Sequence, residues 1–162
     1  MSDNKTELDV SIEEVTHAVA EITKMEAEGV NKIIVLSHSG YSVDMDLASK
    51  VSGIDVIVGG HTNTYLSNTS DKAKGPYPTW VEGPDGNKTA IVQAYAYGKF
   101  LGELNVTFDD NGEIVEAVGE PLVLDAAVAE DAPTKDRIAE LAGPLEEIRQ
   151  KIVAETADVV DG

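Results

Sequence analysis

Two short apolar runs, each followed by a histidine, constrain the fold of this chain more than any other feature. The runs are Ile33–Leu36 and Ile54–Val58, and the histidines are His38 and His61. Short β-branched runs bounded by Gly and Ser are typical of parallel strands covered on both faces. The segment between them is long enough for a crossover helix, which the spacing of Asp44–Val51 favours. The sequence therefore predicts neighbouring parallel strands with both histidines at the edge where open α/β sheets bind ligands.

This pair of histidines is a candidate metal site. Two imidazoles at one sheet edge suit a borderline transition metal such as Zn, Mn, Fe or Ni. Gly59 and Gly60 allow the backbone to turn sharply and bring His61 and Asn63 back over the strand end. A histidine after a strand is also commonly an ordinary loop residue, so the pattern alone leaves both interpretations open.

We interpret the polar residues around the two runs as loop and helix-end residues and not as metal ligands. Ser37 and Ser39 flank His38 and are interpreted as loop hydroxyls, with a supporting role beside a metal ligand as the alternative. We interpret Asp44 and Asp46 as charges at a helix N-terminus, favoured by the helix dipole.

The first part of the chain predicts an α/β domain. Ser11 is a good N-cap, Glu14 completes a capping box, and Glu28–Gly29 ends the helix. His17 lies off the apolar face and is predicted to be solvated. The order helix, strand, helix, strand over residues 11 to 58 is typical of doubly wound folds.

The second part predicts antiparallel strands. Residues 65 to 78 show no periodicity and predict a long loop that overhangs the strand ends. A hairpin is expected from Trp80 to Gln93, followed by paired strands Phe100–Phe108 and Ile114–Leu124 around an Asp-Asp-Asn-Gly turn. We expect these strands to form the second sheet of a layered sandwich. A helix from Ala132 to about Ala154 should be kinked or split at Gly143–Pro144.

Charge and composition exclude several classes of partner. The 162 residues carry a formal charge of −18, which repels nucleic acid and anionic membrane surfaces. No apolar run is long enough to span a membrane. The chain has no cysteine, which excludes disulfides and thiolate metal ligands.

Three blocks of the sequence resemble a known family. They are Ser-His-Ser-Gly at 37–40, Gly-Ile-Asp-Val-Ile-Val-Gly-Gly-His-Thr-Asn-Thr at 53–64, and Val-Gln-Ala-Tyr-Ala-Tyr-Gly-Lys-Phe-Leu-Gly at 92–102. Together they resemble the later half of the metallophosphoesterase domain of the 5′-nucleotidase family, which are calcineurin-like phosphoesterases. The resemblance extends over roughly residues 8 to 162. Tyr95 and Tyr97, in the third block, are interpreted as core residues.

The resemblance implies a fold and a division of the chain. The fold class is α/β: half of a four-layer αββα metallophosphoesterase sandwich, with parallel strands followed by an antiparallel sheet. Residues 1–10 would be disordered or a linker, and residues 11–125 the C-terminal half of the metallophosphoesterase domain. Residues 126–162 would form a helix leading to a nucleotide-binding C-terminal domain that is not part of this sequence.

The resemblance also implies a chemistry. The complete enzyme would use two divalent ions, Zn, Mn or similar, and a metal-bound hydroxide would hydrolyse phosphate monoesters of nucleotides. His38 and His61 would bind the same one of the two ions through neutral imidazole nitrogens. Asn63 would take the catalytic position where many relatives have a second histidine, as a weak ligand or by orienting water.

Part of the family's site has no match in this sequence. The Asp-x-His and Gly-Asn-His-Glu motifs and a bridging Asp are absent. We therefore expect a segment with little activity alone, whose partner is either the missing N-terminal half or a second copy. Alternative functions are a UDP-sugar or 2′,3′-cyclic nucleotide hydrolase, or a relative of the sulfur-oxidation thiohydrolases. A non-catalytic binding module that has lost its metal site is the alternative from another class.

Overall fold

The computed structural model describes residues 12–152, which form two compact units, one ending at Asp125 and one beginning at Ala126. The first unit contains helices α1 (Ile12–Ala27) and α2 (Tyr41–Lys50). Its strands are β1 (Ile34–Leu36), β2 (Val56–Val58), β3 (Thr79–Glu82), β4 (Lys88–Val92), β5 (Phe100–Phe108) and β6 (Ile114–Val123). The second unit contains helix α3 (Ala132–Arg149).

The β1–α2–β2 segment forms as the sequence predicts. Strands β1 and β2 pair in parallel, with Ile34 opposite Val56 and Leu36 opposite Val58. Helix α1 stops at Ala27, and Gly29 follows with a φ of 86°. His17 is exposed, as expected. The predicted cap at Ser11 and the side chain of Glu14 lie outside the described residues.

The hairpin is correctly predicted, but its place in the fold is not. Strands β3 and β4 are antiparallel, yet β4 also pairs in parallel with β2. The strand order is therefore β1-β2-β4-β3 in one mixed sheet. Only β5 and β6 form the separate antiparallel sheet. The expectation that the hairpin belongs to a second sheet is wrong, because the apolar end of β4 is buried beside β2.

One face of the mixed sheet holds the main core. Ile57 and Ile91 are fully buried there, where they pack in one cluster with α1 and α2 through residues such as Ile22, Ala48 and Val51. Each helix has apolar residues spaced along one side. Burial of that apolar side against the sheet is the main source of helix stability.

The opposite face is only partly covered. Tyr77 and Leu66 pack against Val92 on β4. On the β1 side, however, Leu36 is 82% exposed, Ile34 59% and Val58 41%. The prediction that the parallel strands are covered on both faces is therefore wrong for this part of the sheet.

The loop of residues 65–78 is anchored rather than free. Leu66 and Tyr77 are buried, and Tyr65 bridges to Ala94. The carboxylate of Glu120 on β6 accepts hydrogen bonds from Ser67 Oγ and from the Asn68 amide N–H at 2.9 Å. These contacts tie the loop to the β5–β6 sheet.

Helix α3 runs without a break through Gly143 and Pro144, so of the expected kink or split the split is wrong, and the kink stays a prediction. The Asp131 carboxylate caps its first turn by accepting from the Thr134 amide at 3.0 Å. The helix ends at Arg149 instead of near Ala154, which lies outside the described residues.

Candidate metal centre

His38 is placed by the end of strand β1. The Ser37 amide donates to the Val58 carbonyl at 2.9 Å, which extends the pairing with β2 by one residue. The Ser39 amide then donates to Ser37 Oγ at 3.1 Å and turns the chain toward α2. His38 lies between these two bonds and is exposed.

His61 is placed by the turn after strand β2. It follows Gly59 and Gly60, and it has a φ of 67°. The Thr62 amide donates to the Gly60 carbonyl at 2.8 Å, which makes the turn tight. A Cβ built on Gly60 would lie 3.0 Å from His38 Nδ1, so glycine here lets the two loops approach each other.

The two turns bring the imidazole rings together. The ring centroids of His38 and His61 are 5.4 Å apart and the planes are inclined by 68°. Two imidazoles bound to one tetrahedral zinc ion, with Zn–N of about 2 Å, have ring centroids about 5 Å apart. The spacing therefore fits two ligands of one ion. Among residues 12–152, no group of three or more His, Cys, Asp or Glu side chains could hold a metal.

Gln93 holds the turn that carries His61 by bonding to three of its residues. It is buried at the end of β4, and its Nε2 donates to the Gly60 carbonyl at 2.9 Å. Its Oε1 accepts from the Thr64 amide and from Thr62 Oγ1. Sequence reasoning gave Gln93 no role, although a lone amide at the end of an apolar strand indicates that a buried polar partner is present.

Asp44 lies in the first turn of α2, as predicted, but it is buried instead of being a surface charge at the helix end. Its side chain is 0% exposed, and its Oδ1 accepts from Ser37 Oγ. Burial raises the pKa of the Asp44 carboxyl, and the hydrogen bond from Ser37 only partly offsets this. The signal was present in the sequence, because Asp44 shares one helical stripe with Ala48 and Val51. Asp46 lies beyond the first turn and pairs with Lys50, so its interpretation as a helix-terminal charge is wrong.

Asn63 stands two residues beyond His61, with a φ of 51°, and is exposed. Its side chain makes no hydrogen bond within the described part of the chain. The exposed amide is therefore accessible to a ligand. Its catalytic role stays a prediction, as do the metal-ligand roles of His38 and His61.

Backbone strain is concentrated beside this edge of the sheet. Within residues 12–152, the non-glycine residues with positive φ are His61, Asn63, Tyr95 and Tyr97. All four lie in the loops that follow β2 and β4, which are paired parallel strands. Such conformations cost about 1–3 kcal/mol each and collect at functional sites.

The two tyrosines are not core residues, which corrects the interpretation drawn from the sequence. Tyr95 is 45% exposed and Tyr97 is 99% exposed. Tyr95 packs edge-on against Tyr65 and Phe100, whose rings stack at 4.7 Å. The Tyr95 amide donates to the Thr64 carbonyl at 3.1 Å and so joins this aromatic group to the turn that carries His61.

Several known 5′-nucleotidases are similar to this chain in sequence or in fold. The snake venom 5′-nucleotidase of Naja atra is 41% identical over 154 residues, which is 93% of this chain. The 5′-nucleotidase of Rattus norvegicus is 47% identical over 127 residues, or 76% of this chain. The crystal structure of the 5′-nucleotidase precursor from Thermus thermophilus superposes with a TM-score of 0.80 and 41% identity over 87% of this chain.

The chain is homologous to part of the 5′-nucleotidases. It spans 29% of the Naja protein, 22% of the rat protein and 29% of the Thermus chain. The α/β fold, with a mostly parallel four-stranded sheet and a two-stranded antiparallel sheet, matches the corresponding part of the Thermus 5′-nucleotidase. No family model matches the sequence. No helix in the described residues is long and apolar enough to cross a membrane.

Proposed function

We propose that this chain is the later half of a 5′-nucleotidase-type metallophosphoesterase domain and supplies two ligands to one of its metal ions. The observation that carries the proposal is the 5.4 Å separation of the His38 and His61 rings at the ends of paired parallel strands. Homology to 5′-nucleotidases supports it independently. In the complete domain the substrate class would be nucleoside monophosphates or related phosphate esters.

The residues of this chain would have two roles in that reaction. His38 and His61 would hold an ion through neutral imidazoles, and Asn63 would orient water or a phosphate oxygen beside them. A pair of divalent ions, when bound, supplies an activated water and stabilises charge on the phosphate oxygens. Catalytic zinc takes about three protein ligands plus water, so two imidazoles form an incomplete site.

The missing ligands have a place to come from. The exposed apolar side chains of Ile34 and Leu36 on β1 and of Val58 on β2 lie on one face of the sheet. Strand β1 is also the edge strand of that sheet. A groove of about 520 Å³ separates this face from Leu104 and Val106 on β5. Exposed apolar sheet faces and unpaired edges recruit polypeptide partners.

We infer that the N-terminal half of the domain covers this face and completes an αββα sandwich. Leu36 is the last residue of β1, two positions before His38. A polypeptide that packs on Leu36 therefore reaches the imidazoles as well, and it can bring the carboxylates that the described residues lack. The homologous Thermus chain is long enough to contain such a segment, since this chain covers 29% of it.

Metal binding by the chain tests the site directly. We expect Zn²⁺ or Mn²⁺ to bind weakly, at about one ion per chain, by isothermal titration calorimetry. His38→Ala and His61→Ala should each reduce the affinity about tenfold or more, by analogy with the loss of supporting groups at metal sites. His17→Ala is the matched control, because His17 is exposed on α1. Equal affinity in all three variants would refute the site.

Activity tests the assignment to half a domain. The purified 162-residue chain should not hydrolyse AMP, whereas a chimera carrying residues 12–125 in place of the homologous segment of the Thermus enzyme should. Introducing His38→Ala into the chimera should abolish hydrolysis, and introducing His17→Ala should not. Hydrolysis of AMP by the isolated chain, or an inactive but folded chimera, would contradict the proposal.

A further inference from the structure

Among the described residues, Asp44 is the only Asp or Glu that is buried. Its carboxyl is 0% exposed and lies on the buried stripe of α2 beside Ala48 and Val51. Placing a carboxyl among apolar side chains is costly unless its oxygens are hydrogen-bonded. A buried polar group of this kind calls for a physical explanation.

One oxygen of Asp44 acts on the His38 turn. Oδ1 accepts the hydroxyl hydrogen of Ser37. Ser37 Oγ in turn accepts from the Ser39 amide at 3.1 Å, and the Ser37 amide donates to the Val58 carbonyl. Asp44 thus orients the Ser37 hydroxyl, which in turn holds the Ser39 amide on the other side of His38.

The other oxygen lies under the His61 turn. Oδ2 has no hydrogen-bond partner within the described residues. A Cβ built on Gly59 would lie 2.3 Å from Oδ2 and 3.1 Å from Gln93 Nε2. Asp44 and Gln93 therefore flank Gly59 closely, and Gln93 Nε2 also donates to the Gly60 carbonyl. These two side chains therefore pack against the turn that leads to His61.

We propose that Asp44 is a positioning residue that, together with Gln93, sets the distance between the His38 and His61 rings. Its Oδ1 is hydrogen-bonded to the turn after β1, and its Oδ2 lies close against Gly59 in the turn after β2. The effect of Asp44 on metal affinity rests on the proposed function. Its effect on the distance between the two rings in the metal-free chain does not.

The test uses the full chain and three variants. Asp44→Ala removes both contacts, Asp44→Asn keeps the volume and the acceptor for Ser37, and Asp46→Asn is the control on the same helix. Asp46 pairs with Lys50 at 2.7 Å near the surface. Two quantities are measured: the nuclear Overhauser effect between the His38 and His61 ring protons without metal, and the affinity for Zn²⁺.

We expect Asp44→Ala to lose the ring-to-ring effect and to bind Zn²⁺ about tenfold more weakly. Asp44→Asn should keep the effect and remain within about threefold of the parent affinity, and Asp46→Asn should match the parent. A merely structural role would lower the melting temperature of Asp44→Ala and leave the ring-to-ring effect intact. That result, or equal losses in Asp44→Ala and Asp46→Asn, would overturn the proposal.

Two further outcomes remain decisive. If Asp44→Ala does not fold, Ser37→Ala breaks the same link without emptying the core, and Ser39→Ala is its control on the other side of His38. Ser37→Ala should weaken the ring-to-ring effect and Ser39→Ala should not; equal behaviour would overturn the proposal. If the parent chain binds no Zn²⁺, the proposed function fails, while the ring-to-ring comparison still decides whether Asp44 positions the histidines.

Discussion

At the scale of single residues, the candidate site depends on two glycines with different neighbours. A Cβ on Gly59 would lie 2.3 Å from the buried Asp44 Oδ2, whereas a Cβ on Gly60 would lie 3.0 Å from Nδ1 of the exposed His38. A buried carboxyl cannot move aside, but an exposed ring can. The same methyl group therefore has different consequences at adjacent positions.

We predict that Gly59→Ala lowers the free energy of unfolding by about 1–3 kcal/mol, the usual cost of overpacking. Gly60→Ala should cost less than Gly59→Ala in stability, yet it should weaken metal binding by displacing His38. Urea denaturation and calorimetry measure the two effects. A Gly59→Ala variant as stable as Gly60→Ala would show that Asp44 is not held as tightly as its burial indicates.

A second prediction at this scale concerns Glu120 and acid stability. Partial burial raises the pKa of Glu120, but hydrogen bonds from Ser67, Asn68 and Thr69 outweigh it and hold the pKa below its usual value. A carboxyl whose pKa is lowered by folding stabilises the protein above its unfolded pKa. That contribution is lost as the pH falls through the folded pKa.

Glu120→Gln should therefore lower the free energy of unfolding at pH 7 by about 1 kcal/mol. Between about pH 6 and pH 3 the parent should lose more stability than the variant, so the difference between them shrinks. Urea denaturation at several pH values checks this. Glu116→Gln, an exposed neighbour on β6, is the control and should keep a constant difference from the parent. A constant difference for Glu120→Gln as well would contradict the prediction.

At the scale of elements, the sequence predicted those structures that depend on residues close together in the chain. The β1–α2–β2 segment and the turn between β5 and β6 follow from apolar spacing and from turn residues close in sequence. The pairing of β4 with β2 joins segments that are far apart in the sequence. Nothing local sets that contact, although the unbroken apolar run Ala90–Val92 is typical of a central strand.

The candidate site divides in the same way. The proximity of His38 and His61 follows from parallel pairing, which the sequence predicted. The polar support from Asp44 and Gln93 was missed, because it depends on which side chains meet beneath the strand ends. The uncovered face at Leu36 was also missed, because an apolar run predicts burial without identifying what covers it.

Helix α3 provides a prediction about a single element. Gly143 lies in its interior, and a Cβ there would meet nothing within 4 Å outside its two chain neighbours and the backbone of its own helix. Glycine costs a helix about 1 kcal/mol relative to alanine. Gly143→Ala should therefore raise the helical circular dichroism signal and its thermal midpoint, by less than this full amount because Pro144 disfavours a helical residue with a Cβ directly before it.

Gly86 is the matched control for that substitution. A Cβ on Gly86 also meets nothing within 4 Å, but Gly86 has a φ of 84°. Gly86→Ala should destabilise the protein, because an L residue is strained in this conformation. If both substitutions stabilised the chain, free space and not backbone conformation would determine the effect of an added methyl group.

At the scale of the whole molecule, charge and exposed apolar surface oppose each other. The formal charge of −18 keeps copies of the chain apart. The face formed by Ile34, Leu36 and Val58 favours association, because contact would remove apolar area from water. Salt screens the repulsion beyond about 10 Å at roughly 0.1 M and leaves the apolar attraction in place. We therefore predict that the chain self-associates increasingly as salt is raised.

Leu36→Thr should reduce this association at high salt, because Leu36 is 82% exposed at the centre of the proposed contact. Threonine is well tolerated in strands, so the fold should be kept. Val115→Thr, at an exposed position on β6, is the control and should associate like the parent chain. Light scattering across a range of salt and protein concentrations measures the mass. A parent chain that stays a monodisperse monomer throughout would show that this face needs no partner, and it would remove the structural argument for a complementary half.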